Sequence, residues 1–391
     1  MAIYRKRQIA FLSTYPPREC GLATFTQDLT NELDKIKLLS ESKIVSISSG
    51  EHDYDKKVIF DIKQDDLDTY LAAAKKINQS KIDLLCIQHE YGIFGGYCGD
   101  YLVDLLEKID VPVITTLHTV LPNPNSRQVF IMNKLSEKSA KLVTMAKNSM
   151  NTLMRTYSID SKKILVIPHG VPFKILPTRE KLKAKHGYEC KKIISTFGLI
   201  SPGKGLEYGI EAISKIVKEN KNILYLILGQ THPVVKRQFG EVYRESLQSM
   251  VDKFGLSDNI KFIDKYLQKD ELLEYLKLSD VYMTPYLGKD QAVSGTLAYA
   301  VGYGKAIVST PYNYAVEMLE NGRGLLASFK NSNSLAECLG KILSDPALQK
   351  EFESETKAYG KSMMWKNVAS NYAKTFIDVI ENCNIFEMEA K

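Results

Sequence analysis

Short apolar runs alternate with longer stretches in which apolar positions recur every three or four residues, and this continues over nearly all 391 residues. In the first half the short runs predict strands over 9–12, 43–47, 84–88, 113–117, 142–144 and 164–167, with helices between them, as over 24–36 and 97–109. The pattern then restarts. Strands are predicted over 193–197, 224–228, 260–263, 281–284 and 306–309, and helices over 205–219, 241–254, 269–278 and 295–303. Alternating strands and helices predict parallel sheets covered by helices on both faces, and two runs of the pattern predict two doubly wound α/β domains. The expected bounds are 1–170 and 171–364, with a closing segment over 365–391. The segment Pro168-His169-Gly170-Val171-Pro172 and the charged stretch to Lys192 form the expected hinge. Ligands bind at the carboxyl ends of strands in open parallel sheets, so the cleft between two such domains is the expected site.

Composition narrows the class. With 44% hydrophobic and 25% charged residues the chain is ordinary for a globular protein. No run of about 20 apolar residues is present, so no transmembrane helix is expected. The basic start MAIYRKRQIAFLST has too short an apolar run for a secretion signal, so a cytoplasmic protein is expected. A net charge of +6 favours small anions and allows at most peripheral membrane association. Without a basic run interleaved with aromatics, no nucleic-acid partner is expected. Six scattered cysteines with no CxxC read as reduced thiols, and no ligand cluster supports a metal. Oligomeric state is left open.

The chemistry concentrates where strands should end. In Thr14-Tyr15-Pro16-Pro17-Arg18-Glu19-Cys20-Gly21, Gly21 admits close backbone approach and Arg18 has the reach for a phosphate or sugar hydroxyl; the plain alternative is a surface arginine in a strand-to-helix loop. His89 and Glu90, in QHEYGIFGG, pair an imidazole with a carboxylate in a glycine-rich loop suited to sugar hydroxyls, or His89 is satisfied by local backbone. His118, in TTLHTV, is a hydrogen-bonding candidate or a core histidine. Phe197-Gly198-Leu199-Ile200-Ser201-Pro202-Gly203-Lys204-Gly205 places a lysine at a helix start, which suits phosphate. It lacks the Walker spacing. His232, in GQTHP, follows another strand. In TPYLGKDQAVSGTLAYAVGYGKAIVSTP, Ser294 is a good N-cap and Gly304 a good helix stop. Punctuation alone would explain those two, but Asp290, Gln291, Gly295 and Thr296 cluster at the same strand end, where unpaired amides attract anions. Glu317 reads as a first-turn carboxylate or a ligand contact.

These segments, in this order and spread over nearly the whole chain, resemble the family 4 retaining glycosyltransferases. Their GT-B fold has two Rossmann-like domains facing a central cleft. The resemblance rests on FG…GKG, on LAYAVGYGKAIVSTP and on the pattern from Met364 to Ile377 around Trp365. It implies an acceptor-side first domain, a donor-binding second domain and a closing helix that crosses back to the first. It further implies that Lys204 contacts the donor's phosphates, that the Ser294 to Thr296 amides hold the diphosphate, that His118 sits beside the transferred sugar, and that Gly21 lies near both substrates. Glu317 falls where relatives carry a glutamate. Two departures stand out. Gln291 and Tyr299 occupy the glutamate positions of the family's E-x7-E motif, and Leu199 replaces its usual arginine. The chain is similar to an outlying branch with YPPRxCGLATFT, HEYGIFGG, LGQTHP and QxxSGTLAYA signatures.

The expected activity is therefore hexosyl transfer from a nucleotide-diphosphate sugar to a carbohydrate or other hydroxyl acceptor, with no cofactor. The lost second glutamate, a ribose ligand in the family, keeps two other readings open. One is a GT-B glycoside phosphorylase using inorganic phosphate or sugar 1-phosphate. The other is a sugar-binding or scaffold protein without catalysis.

Overall fold

The computed structural model describes residues 5–389, so residues 1–4 and 390–391 of the bounds above lie outside the described residues. The chain divides into two compact units, Met1–Pro172 with Ser362–Lys391, and Phe173–Lys361.

The first unit holds strands β1 (Ile9–Ser13), β2 (Lys43–Ser48), β3 (Val58–Lys63), β4 (Leu84–His89), β5 (Val113–Leu117), β6 (Lys141–Thr144) and β7 (Ile164–Val166). Helices α1 (Gly21–Leu33), α2 (Leu67–Asn78), α3 (Tyr101–Leu106), α4 (Ser126–Lys138) and α5 (Lys147–Thr156) connect them. The strand order is β3-β2-β1-β4-β5-β6-β7, and every pairing is parallel. β1 and β4 are buried along their whole length, as the continuous runs IAFLS and LLCIQH require of strands with helices on both faces. The order reverses between β1 and β4, so the loops after those strands, and after β5, share the carboxyl edge where such sheets take ligands.

The second unit repeats the design. It contains α6 (Arg179–Lys185), β8 (Lys192–Phe197), α7 (Leu206–Ile216), β9 (Ile223–Leu228), α8 (Pro233–Phe239), α9 (Val242–Lys253), β10 (Ile260–Ile263), α10 (Lys269–Leu278) and β11 (Val281–Thr284). It continues through α11 (Gly295–Gly302), β12 (Ala306–Ser309), α12 (Asn313–Leu319), β13 (Leu325–Leu326), α13 (Ser332–Ser344) and α14 (Pro346–Gly360). Its sheet runs β10-β9-β8-β11-β12-β13, again all parallel, with the reversal between β8 and β11. Leu206, Ile210 and Ile213 of α7 are buried, as their helical spacing predicts. At the amino ends of β8 and β11 a buried ion pair closes the base. Lys183 meets Asp280 at 2.6 Å, and Asp280 also accepts from Ile193 N at 2.7 Å.

The last helix, α15 (Trp365–Glu389), belongs to the first unit and packs on α1. Val171 N donates to Met363 O (2.7 Å) and Trp365 N to Val171 O (3.0 Å), so the outgoing and returning chains are hydrogen-bonded.

Two local expectations need correction. The helix predicted over 97–109 is broken: Cys98 takes φ 60°, and regular helix runs only from Tyr101 to Leu106. Glu317 is not a first-turn carboxylate, because α12 begins at Asn313 and places it fifth.

Candidate active site

In the second unit, the ends of β8 and β11 meet. The chain leaves β8 at Phe197 and enters α7 through Gly205, whose φ is +59°. Only glycine fits there: a Cβ would stand 2.3 Å from Pro285 O of the loop after β11. The two loops are also joined by Leu287 N donating to Gly203 O (3.0 Å). This contact brings the partly buried Lys204 over the Tyr286 ring, with Nζ 3.9 Å from its centroid. The Tyr286 hydroxyl lies 2.9 Å from Thr296 Oγ1, which is 3.1 Å from Ser294 Oγ.

Ser294 caps α11, accepting from Leu297 N at 3.3 Å. The first intrahelical bond runs from Ala298 N to Ser294 O, so the Gly295 and Thr296 amides precede the ladder. The N-terminus of α7 is different. Its cap, Gly205, has no side chain, and Tyr243 OH accepts from Leu206 N (3.2 Å) while donating to Glu207 (2.5 Å). His232 caps α8, its Nδ1 accepting from Val234 N at 3.2 Å. Burial first, and the nearby Lys204 charge second, push the His232 pKa down.

Asp290 is exposed on the loop before α11. Gln291 turns its amide to Val293 O (3.0 Å), and its own carbonyl accepts from Tyr314 N (3.2 Å). Tyr299 is buried, with its ring 6.3 Å from that of Phe197. Glu317 is also buried. Its carbonyl, together with that of Met318, accepts from Arg323.

In the first unit, Gly21 opens α1. It is exposed, and beyond its own helix and chain neighbours no described residue stands within 4 Å of where a Cβ would be. Cys20 Sγ caps this helix, accepting from Ala23 N at 3.4 Å. Arg18 turns to its neighbours, donating to Ile47 O (3.2 Å) and Gln64 Oε1 (3.3 Å); Gln64 donates to Gly92 O (3.3 Å). Arg18 thereby ties the loop after β1 to the ends of β2 and β3 and, through Gln64, to the loop after β4.

His118 follows β5. Its Nε2 faces Gln88 Oε1 at 2.9 Å, so the neutral ring carries its proton on Nε2 and leaves Nδ1 as an acceptor. The residue is half-buried, and the atoms packed round the ring, then the nearby His169 and His89, lower its pKa to about 3. His89 lies not in the loop but at the end of β4. It is wholly enclosed between Tyr91 and Phe94, neither ring nitrogen has a hydrogen-bond partner among the described residues, and burial pushes its pKa down to about 3. Its neighbour Glu90 accepts from the Thr119 hydroxyl, and burial raises its carboxyl above the ordinary range.

The structure thus gathers Lys204, Ser294, Gly295 and Thr296 at one edge of the second unit. It gathers His118, Glu90, Gly21 and Arg18 at the carboxyl edge of the first. His89 it encloses. Tyr286, Gln88 and Arg244 were missed. Arg244 donates to Gly229 O and pairs with Asp264, both at 2.8 Å, and so braces the ends of β9 and β10. A tyrosine two residues beyond a strand reads as core, and its position at a strand end was the only available signal.

Among the described residues, no helix is long and apolar enough to cross a membrane, and no cluster of three His, Cys, Asp or Glu side chains is placed to hold a metal ion.

Two parallel α/β units of this strand order define the GT-B class of fold. A model described as "Glycosyl transferases group 1" matches residues 178–359, and one described as "Glycosyltransferase Family 4" matches residues 47–174. The chain belongs to the family 4-like glycosyltransferases. An uncharacterized glycosyltransferase of Methanocaldococcus jannaschii is 26% identical over 252 residues, which cover 63% of this chain and 60% of that one. A D-inositol 3-phosphate glycosyltransferase of Streptomyces bingchenggensis is 22% identical over 292 residues, 70% of this chain and 63% of the relative. The chain therefore spans less than two thirds of the length of these two relatives. Among solved structures, Anabaena Alr3699/HepE in complex with UDP and glucose superposes with a TM-score of 0.76 at 15% identity, covering 95% of this chain and all of that one. Sucrose-phosphate synthase from Thermosynechococcus elongatus gives 0.79 at 13% identity, with 96% and 100% covered. At such identities the likeness is one of fold.

Proposed function

We propose that the chain is a cytoplasmic, retaining hexosyltransferase that moves a sugar from a nucleotide-diphosphate sugar to a carbohydrate or other hydroxyl acceptor, without a cofactor. The second unit takes the donor: Lys204 and the Gly295 and Thr296 amides receive the diphosphate. The first unit takes the acceptor, with His118 Nδ1 offered to a sugar hydroxyl and the Gly21 amide exposed at the α1 start. In the reaction the bond from the anomeric carbon to the phosphate oxygen breaks, and its electron pair leaves with the phosphate. The acceptor oxygen bonds to the anomeric carbon on the same face, and its proton passes to the departing phosphate. Negative charge grows on that phosphate, where a preorganised donor is worth roughly 3 kcal/mol, about a hundredfold in rate.

The observation that carries this reading is the ammonium of Lys204 held beside the first-turn amides of α11 through one shared tyrosine. The Anabaena protein crystallised with UDP and glucose supports a nucleotide-sugar donor. Calorimetry with UDP and GDP tests it. Binding of at least one, weakened about a hundredfold by Lys204→Ala, is the expected result; absence of binding at millimolar concentration counts against it.

A specific observation favours a second reading, a phosphorylase. Of the two positions where the family carries glutamates, the one that would offer a carboxylate to a ribose holds the buried Tyr299, and the other holds Gln291, whose amide is turned to Val293. Release of sugar 1-phosphate from oligosaccharides on addition of inorganic phosphate would select that alternative.

A further inference from the structure

We propose that Tyr286 is a positioning residue that holds the Lys204 ammonium against the start of α11, so that lysine and helix amides meet one phosphate group as a preformed unit. This inference rests on the donor site proposed above and adds a residue to it. The Tyr286 ring is itself fixed from several sides. It is buried, and it stacks on Tyr312 with centroids 5.5 Å apart and planes 18° apart. Its carbonyl accepts from Thr310 Oγ1 at 2.5 Å, and its hydroxyl reaches Thr296 Oγ1 at 2.9 Å. The next residue bonds back to Gly203, one position before Lys204.

A lysine side chain is long and flexible, and freezing it costs conformational entropy whenever it binds a ligand. The negative face of an aromatic ring attracts the ammonium, and at 3.9 Å from the centroid the contact is close. The ring engages one side of the ammonium, so N–H donors remain for phosphate oxygens. The ordering cost is then largely met before the ligand arrives. One side chain thus links both phosphate-binding elements: its face holds the lysine of the loop after β8, and its hydroxyl holds the first turn of α11.

The test separates the ring's electrostatics from its bulk. Tyr286→Phe retains the negative ring face, whereas pentafluorophenylalanine placed at 286 fills similar space with that face electron-poor. Binding of UDP and of inorganic pyrophosphate is measured by ligand-detected NMR, which reads affinities into the millimolar range. We expect Tyr286→Phe, which loses the hydroxyl contact to Thr296 but keeps the ring face, to weaken both probes a few-fold, and the fluorinated ring to weaken them about tenfold beyond that. In a Lys204→Met background the fluorinated ring should cost nothing beyond Tyr286→Phe, which a purely structural role would not produce. Should the parent bind UDP while the fluorinated ring binds no more weakly than Tyr286→Phe, or should its added penalty persist without Lys204, Tyr286 is only a core residue and the donor site stands without it. Should the parent bind neither probe, the donor site and this inference fall together.

Discussion

Two histidines of the first unit are held in surroundings that refuse a proton. His89 has a pKa of about 3, pushed down by burial; His169, whose Nδ1 lies 2.7 Å from Gly170 O, has one of about 4 for the same leading cause. Both are buried, and the half-buried His118, held at about 3 as well, adds to the same effect. The unfolded chain protonates them near pH 6.5, so between there and pH 4 it binds more protons than the folded one. Stability must therefore fall as pH falls through that window, by at most about 1.4 kcal/mol per pH unit for each histidine. Urea denaturation at several pH values should show this slope. His89→Phe, which replaces an unpartnered imidazole with a ring suited to Tyr91 and Phe94, should remove one proton's worth of it without loss at neutral pH. An unchanged slope would show that His89 is not the titrating group. At this scale the sequence was legible where topology dictates position: His118 and Lys204 follow strands, and Ser294 opens a helix. It was not legible where a partner decides. Gln88 fixes the His118 tautomer from a neighbouring strand, and nothing local marks Tyr286 as the residue beneath Lys204.

Elements were read well where their apolar faces are wholly buried and poorly elsewhere. β1, β4 and β9 announce themselves as continuous apolar runs, whereas β3, with the sequence VIFDIK, is half-exposed at the sheet edge and was not seen. The helix predicted over 97–109 failed because its periodicity persists through Cys98 although the backbone there is left-handed. How strand ends pack is likewise a tertiary fact. At Gly229, φ is +136° and an added Cβ would stand 2.2 Å from the Gly198 carbonyl oxygen. Backbone cannot yield as a flexible side chain can, so β8 and β9 would have to part at the edge that carries Lys204. Gly229→Ala should cost about 2–4 kcal/mol in thermal or urea unfolding. It should also weaken UDP binding, because the loop after β8 moves with its strand. A variant with parental stability would mean that this close approach is not maintained in solution.

At the scale of the whole molecule, the restart of the strand–helix pattern after residue 170 was the legible feature, and it yields two sheets of the same order over six strands, the first extended by a seventh, β7. The docking of α15 could not be read from periodicity, since an amphipathic helix states that it has a buried face but not against what. The structure answers that. Trp365 meets Phe25 with centroids 5.0 Å apart, Phe376 meets Phe11 at 6.1 Å, and Tyr372 shares a hydrogen bond with Thr116 at 3.0 Å. All three aromatics are buried in the first unit, although they lie beyond the entire second unit in the chain. The first core is thus completed by its last segment, while the second, Phe173–Lys361, contains its own cluster from Ile194 to Phe352. Removing the Trp365 ring should therefore act on one unit alone. Trp365→Ala leaves a cavity against Phe25 and should cost about 3–5 kcal/mol. Amides of β1, α1 and β5 that open only with the whole first unit should then exchange hydrogen roughly a hundredfold or more faster, while those of β8, β9 and α7 keep their protection. Equal loss in both units would show that they unfold as a single cooperative body, and no loss in either would show that α15 contributes little to the first core.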